Sequence, residues 1–182
     1  MISEAIAYIV GIVILFVWLI YSYKNKFNPT RIMIVSIFIL YMTAVISITF
    51  FPLTYDPSLK LASDTLSHRL ILTPFQTTIS YVCLGDPFVI FVELGGNIIM
   101  TIPFGMMLPM IVKNKKICFY LLLVLALPLF IETSQLALGI ILQTFYRTAD
   151  IDDVIYNFLG GMIGLAIYKL LPKKFRNRIS AN

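Results

Sequence analysis

The chain has 182 residues, a formal net charge of +5, 59% hydrophobic residues and only 13% charged ones, where an ordinary soluble domain carries roughly a quarter charged. A surface so poor in charge excludes a water-soluble globule, and the mean hydropathy of +0.92 points to lipid as the solvent. The positive charge is no nucleic-acid footprint, because the basic residues fall in short clusters between apolar runs rather than interleaved with aromatics on one face.

A spanning helix needs about twenty mostly apolar residues to cross roughly 30 Å of hydrocarbon. Five stretches meet that requirement: Ala5–Tyr23, Ile32–Phe51, Phe88–Val112, Ile117–Gly139 and Val154–Leu171. They predict an all-α membrane fold of about five transmembrane helices, forming a single domain over residues 1–182. The first stretch has no basic leading region and no small-residue cleavage site, and Glu4 precedes it, so it reads as a retained helix rather than a secretory signal. Between the second and third stretches, Pro52–Pro87 is too long for a structureless loop. Its part Leu66–Leu84 is apolar around His68 and Arg69, and is expected to form an interfacial or re-entrant segment. In the third stretch Pro103 lacks a backbone donor and crowds the carbonyl of Ile99, so a kink or break is expected there.

Lysines and arginines set the orientation, since they concentrate on the cytoplasmic side. With the N-terminus outside, Lys24, Lys26, Arg31, Lys113, Lys115, Lys116, Lys169, Lys173, Lys174, Arg176 and Arg178 lie inside, and only Lys60, Arg69 and Arg147 lie outside. The predicted topology is therefore N-out, C-in. Glu4, Asp56, Asp64, Asp86, Asp150, Asp152 and Asp153 then all fall outside, and Glu93 and Glu132 fall within spans. Cys83 and Cys118 are placed on opposite membrane faces, beyond the ~5.5 Å Cα separation of a disulfide.

An acid within a span costs about 2.5–3.5 kcal/mol on insertion scales and normally faces the bundle interior with a partner. Glu93 lies roughly 8 Å and Glu132 roughly 10 Å from the outer ends of their spans, at 1.5 Å per residue. If the fourth span runs on through Leu142, Glu132 moves nearer the midplane. Asn97 is one turn beyond Glu93 on the same helix face, and Gln135 shares a face with Glu132. In the last stretch Asp150, Asp153, Asn157, Gly160 and Gly164 recur at three- and four-residue spacing, a single helical stripe. Asp150 reads as an N-cap, and acids in the first turn suit the positive end of the helix dipole. Neither role accounts for Asn157 within the span or for Arg147 beside three aspartates. Gly160 and Gly164 form a small-xxx-small pattern for close helix packing, with Gly95 and Gly96 as counterparts in the third span. A close approach of those two helices would set Asn97 beside Asn157.

These residues, taken in order, carry a resemblance. Asn97 followed by Pro103-Phe104-Gly105 and Pro109, then Glu132-Thr133-Ser134-Gln135, then Arg147, Asp150, Asp153, Asn157, Gly160 and Gly164, together with the loop element Leu72-Thr73-Pro74-Phe75, resemble the VanZ-like membrane family over about residues 30 to 171. That family takes its name from a protein associated with low-level resistance to teicoplanin, a lipoglycopeptide that binds cell-wall precursors. The resemblance implies a multi-pass protein of the bacterial cytoplasmic membrane connected with the cell envelope.

Two functional readings follow. In the first, the protein binds a lipid-linked cell-wall precursor, a lipoglycopeptide or another amphiphile through an outward-facing polar site of Glu93, Asn97, Glu132, Gln135, Arg147, Asp150, Asp153 and Asn157. Arg147 would meet a phosphate or carboxylate bidentately, and Glu132 would accept from a cationic amine. This reading needs no cofactor, and its partners are the bilayer and the ligand, not nucleic acid. In the second, the protein is an intramembrane enzyme acting on a lipid head group, with Asp150, Asp153 and Glu132 holding a divalent cation. The chain has no P-loop, no HExxH and no nucleophile elbow, which favours the first reading. A transporter would need more than five unrepeated helices unless the protein oligomerises.

Overall fold

The computed structural model describes residues 3–53, 69–112, 116–142, 148–173 and 176. In chain order its elements are α1 (Ala5–Lys24), α2 (Pro29–Phe50), the short strand β1 (Leu70–Ile71), α3 (Gln76–Leu84), α4 (Pro87–Ile111), α5 (Ile117–Leu142), the short strand β2 (Ala149–Asp150) and α6 (Ile151–Leu170). Among the described residues, α1, α2, α4, α5 and α6 are long and apolar enough to cross a membrane. Large apolar side chains such as Ile9, Ile12, Phe16, Phe130 and Ile141 are exposed on their outer faces, as lipid solvation requires. The chain is a multi-pass membrane protein.

Helix starts follow local chemistry. Asn28 caps α2 by accepting from Thr30 N at 2.9 Å, with Pro29 in the first turn. Asp86 caps α4 in the same way through Phe88 N at 2.9 Å, with Pro87 following. In both, proline's missing N–H costs nothing, because first-turn amides have no intrahelical partner. Within the long segment after α2, residues 54–68 lie outside the described set, His68 among them. The remainder supplies β1 and the nine-residue α3.

The third span departs from α geometry, though away from its prolines. A π turn occupies Phe91–Gly95, and the α-helix then runs from Gly96 to Ile111 through both Pro103 and Pro109. A π turn holds one extra residue, which rotates everything before it by about 100° around the axis. Beside Pro103, the Met100 carbonyl takes a hydrogen bond from the Tyr41 hydroxyl of α2 at 2.6 Å. Such contacts from neighbouring helices let proline persist inside a span. The fourth span does run on to Leu142 and the fifth helix opens at Ile151, earlier than the hydropathy alone placed it.

The tightest packing joins α4 and α6. A Cβ at Gly160 would overlap the Ile98 carbonyl and Thr101, and one at Gly164 would overlap the Ile102 carbonyl. Gly105 answers from α4, where a Cβ would overlap the Gly161 carbonyl. Gly95 and Gly96 do not serve this contact: a Cβ at Gly96 meets nothing within 4 Å, and one at Gly95 meets only its own helix's Phe91 ring at 3.4 Å. Further along, Phe104, Leu108, Tyr120, Val124 and Leu165 form a buried cluster shared by α4, α5 and α6.

Because the overlapping atoms at Gly160 and Gly164 are backbone, they cannot rotate away. Gly160→Val or Gly164→Val should destabilise the protein by about 3 kcal/mol or more, the upper end for overpacking. Gly96→Ala should stay within about 0.5 kcal/mol of wild type. Thermal unfolding in a neutral detergent compares them, and equal stability of Gly160→Val and Gly96→Ala would refute the close contact.

Candidate functional site

Polar side chains gather where α2 and α5 end and α4 and α6 begin. Strands β1 and β2 pair in parallel there, Leu70 opposite Ala149 and Ile71 opposite Asp150, so the segment leading into α3 is tied to the segment leading into α6. Asp150 caps α6, accepting from Asp152 N at 2.9 Å, and its other oxygen accepts from the Thr77 hydroxyl of α3. Its own N–H donates to Glu132 Oε2 at 2.9 Å. Glu132, only 5% exposed and ten residues before the end of α5, thus meets a backbone amide.

Asp152, 2% exposed, serves a different helix from its own. Its carboxylate accepts from Phe75 N at 2.5 Å, from Thr78 N at 2.9 Å and from the Thr78 hydroxyl at 2.8 Å. It therefore satisfies N-terminal amides of α3 that a local cap would normally take. Phe75 occupies the N-cap position with φ 64, a backbone region non-glycine residues seldom enter. The Thr73-Pro74-Phe75 element is thus the docking point of α3 on α6. Tyr156 adds a hydroxyl contact to Thr78 at 3.0 Å.

One turn into α6 the contacts cross to α4. The Asn97 amide donates to Asp153 Oδ1 at 2.6 Å and to the Glu93 carbonyl at 3.0 Å. The Asn157 amide donates to Asn97 Oδ1 at 3.1 Å and to the Asp153 carbonyl at 2.8 Å. The Thr101 hydroxyl donates to the Asn157 carbonyl at 2.6 Å. Asn157 is 1% exposed, and its Oδ1 has no hydrogen-bond partner among the described residues. On the α5 side, Gln135 Nε2 donates to the Thr49 carbonyl of α2 at 3.1 Å.

Beside these groups lies a cavity of about 600 Å³ between α2, α4, α5 and α6. Glu93, Asn97, Glu132, Gln135, Asp153 and Asn157 line it together with apolar residues that include Val45, Ile48, Ile99 and Met100. Negative charge also reaches α3. Burial first, and then the charges of Glu93, Asp153 and Asp150, push the Tyr81 phenol above its ordinary value.

Of the eight residues singled out from sequence, six line the cavity, and Asp150 lies beside it through its amide bond to Glu132. Arg147 lies outside the described residues. Sequence reasoning missed Asp152, Thr77, Thr78, Tyr156 and Thr101. Asp152 sits off the three-four stripe of α6, and its partners lie some 75 residues earlier, so no local pattern marks it. The metal-dependent alternative needed Asp150, Asp153 and Glu132 to converge. Among the described residues no three of His, Cys, Asp and Glu are placed to hold a metal ion.

Replacing Asp152 tests the docking of α3. Asp152→Ala removes acceptors from two backbone amides and a hydroxyl, and hydrogen bonds to a charged group contribute about 1.5–3 kcal/mol each when buried. Amide hydrogen exchange over residues 75–84 should accelerate at least about ten-fold, with α4–α6 protection retained. Unchanged exchange in α3 would rule out the carboxylate as its anchor.

The VanZ/LLP1 family model matches residues 38–172, from mid-α2 to just past α6, and so takes in all these residues. Protein VanZ of Enterococcus faecium is 31% identical over 139 residues, covering 76% of this chain and 75% of its own length. No solved structure matches the chain. By the extent of both sequence matches, this chain belongs to the VanZ/LLP1 family.

Proposed function

We propose that this protein lies in the bacterial cytoplasmic membrane, N-terminus out and C-terminus in, and binds a lipid-linked or amphiphilic cell-wall or glycopeptide-type ligand, contributing to low-level teicoplanin resistance. The observation that carries the reading is the cavity, about 600 Å³ and lined by both polar and apolar residues. Pockets of roughly 300–1,000 Å³ with few, fixed polar groups suit small ligands, and a lining of both kinds suits a molecule with a polar head and an apolar tail. In this reading the acidic end of the bundle faces outward and receives the head group. Family membership supports the envelope and teicoplanin connection.

Two measurements test this. Cys83 and Cys118 are both free and exposed, on α3 and at the start of α5. A membrane-impermeant maleimide should label Cys83 on intact cells and Cys118 only after permeabilisation; the reverse pattern would invert the topology. Expression in a teicoplanin-susceptible Gram-positive host should raise the inhibitory concentration of teicoplanin. Glu132→Gln, at matched membrane level and thermal stability, should return it to the empty-vector value. No protection by the wild-type protein would end the resistance reading, and full protection by Glu132→Gln would end the role of the cavity.

A further inference from the structure

The hydrogen-bonding capacity left inside the cavity is one-sided. Both amide hydrogens of Asn97 go to Asp153 Oδ1 and the Glu93 carbonyl, and both of Asn157 go to Asn97 Oδ1 and the Asp153 carbonyl. The Tyr41 hydroxyl donates to the Met100 carbonyl, and Gln135 spends one hydrogen on Thr49. Donors of the polar lining are thus largely consumed within the protein. Acceptors are not. Asn157 lines the cavity with a buried, unpartnered Oδ1, and the Glu93 side chain stands exposed at its edge. Glu132 and Asp153 also line the cavity, and both are already engaged within the protein. None of the described lining residues is Lys, Arg or His.

We infer that the cavity takes an amphiphile whose head is a hydrogen-bond donor, specifically a primary ammonium on an apolar tail, in preference to a phosphate head. This rests on the amphiphile-binding reading above and names its ligand class. An ammonium brings three donors and no acceptor, the complement of what the lining offers, and charge-assisted bonds to carboxylates are the stronger kind. A phosphate would bring acceptors to acceptors and negative charge to negative charge. The apolar lining residues Val45, Ile48, Ile99 and Met100 receive the tail.

The test uses the full chain in a neutral maltoside detergent and three probes with one tail: dodecylammonium, dodecyl phosphate and dodecanol. Binding is followed by calorimetry and by the shift in thermal unfolding. Dodecylammonium should bind at least about ten-fold more tightly than dodecyl phosphate, the worth of one charge-assisted hydrogen bond. Glu93→Gln, a change at an exposed side chain, should remove most of that preference while leaving dodecanol binding unchanged. Equal or tighter binding of dodecyl phosphate overturns the ammonium assignment and leaves the amphiphile reading standing. An undiminished preference in Glu93→Gln also overturns it. Binding of none of the three overturns the amphiphile reading itself.

Discussion

Where α6 lies against α4, Gly160 and Gly164 remove the side chains that would hold the two backbones apart. In lipid, helices gain little from burying apolar surface against each other, so association depends on close packing and on polar contacts that the packing permits. The same approach brings Asn97 to Asn157 and Asp153, and Thr101 to the Asn157 carbonyl. Short side chains like these cannot bridge helices separated by bulky residues. The glycine contact is thus the condition for the polar network, and the network is what makes buried Asp and Asn tolerable at that depth. Each interhelical hydrogen bond contributes modestly in a membrane, about 0.6 kcal/mol on average, so the chain of them matters more than any one.

The start of α6 organises the end of the bundle by a second means. Its first residues carry acids, which favour the positive end of its own dipole, but only Asp150 acts as its cap. Asp152 turns to α3 and supplies the N-terminal acceptors that α3 lacks locally. Glu132 holds the backbone at Asp150 from α5. Three elements distant in sequence are thereby joined through carboxylates to amides, the arrangement that buried charge requires.

The cavity lies beside this junction and takes its character from it. The amide hydrogens of Asn97 and Asn157 are used within α4 and α6 and in fastening one to the other. The helix-joining network and the polar part of the cavity lining are in this way largely the same residues.

How much of this was legible in the sequence follows from the range of each interaction. Five spans, the cap at Asp150, the three-four stripe of α6 and the pairing of Asn97 with Asn157 all rest on hydropathy or helical periodicity, which act over a turn or two of chain. Five polar residues chosen for lying within spans, and Asp153 from the α6 stripe, line one cavity for a related reason: buried polar groups must find each other. Tertiary structure alone decided the rest. The π turn at Phe91–Gly95 holds no proline and leaves no hydropathy signal, while the α-helix runs on through Pro103. Gly105, not Gly95 or Gly96, meets α6, because which face of α4 turns inward depends on a π turn that hydropathy does not record. And Asp152 looks like an ordinary first-turn acid until the fold brings Phe75 and Thr78 to it, a meeting between residues some 75 positions apart that no local pattern encodes.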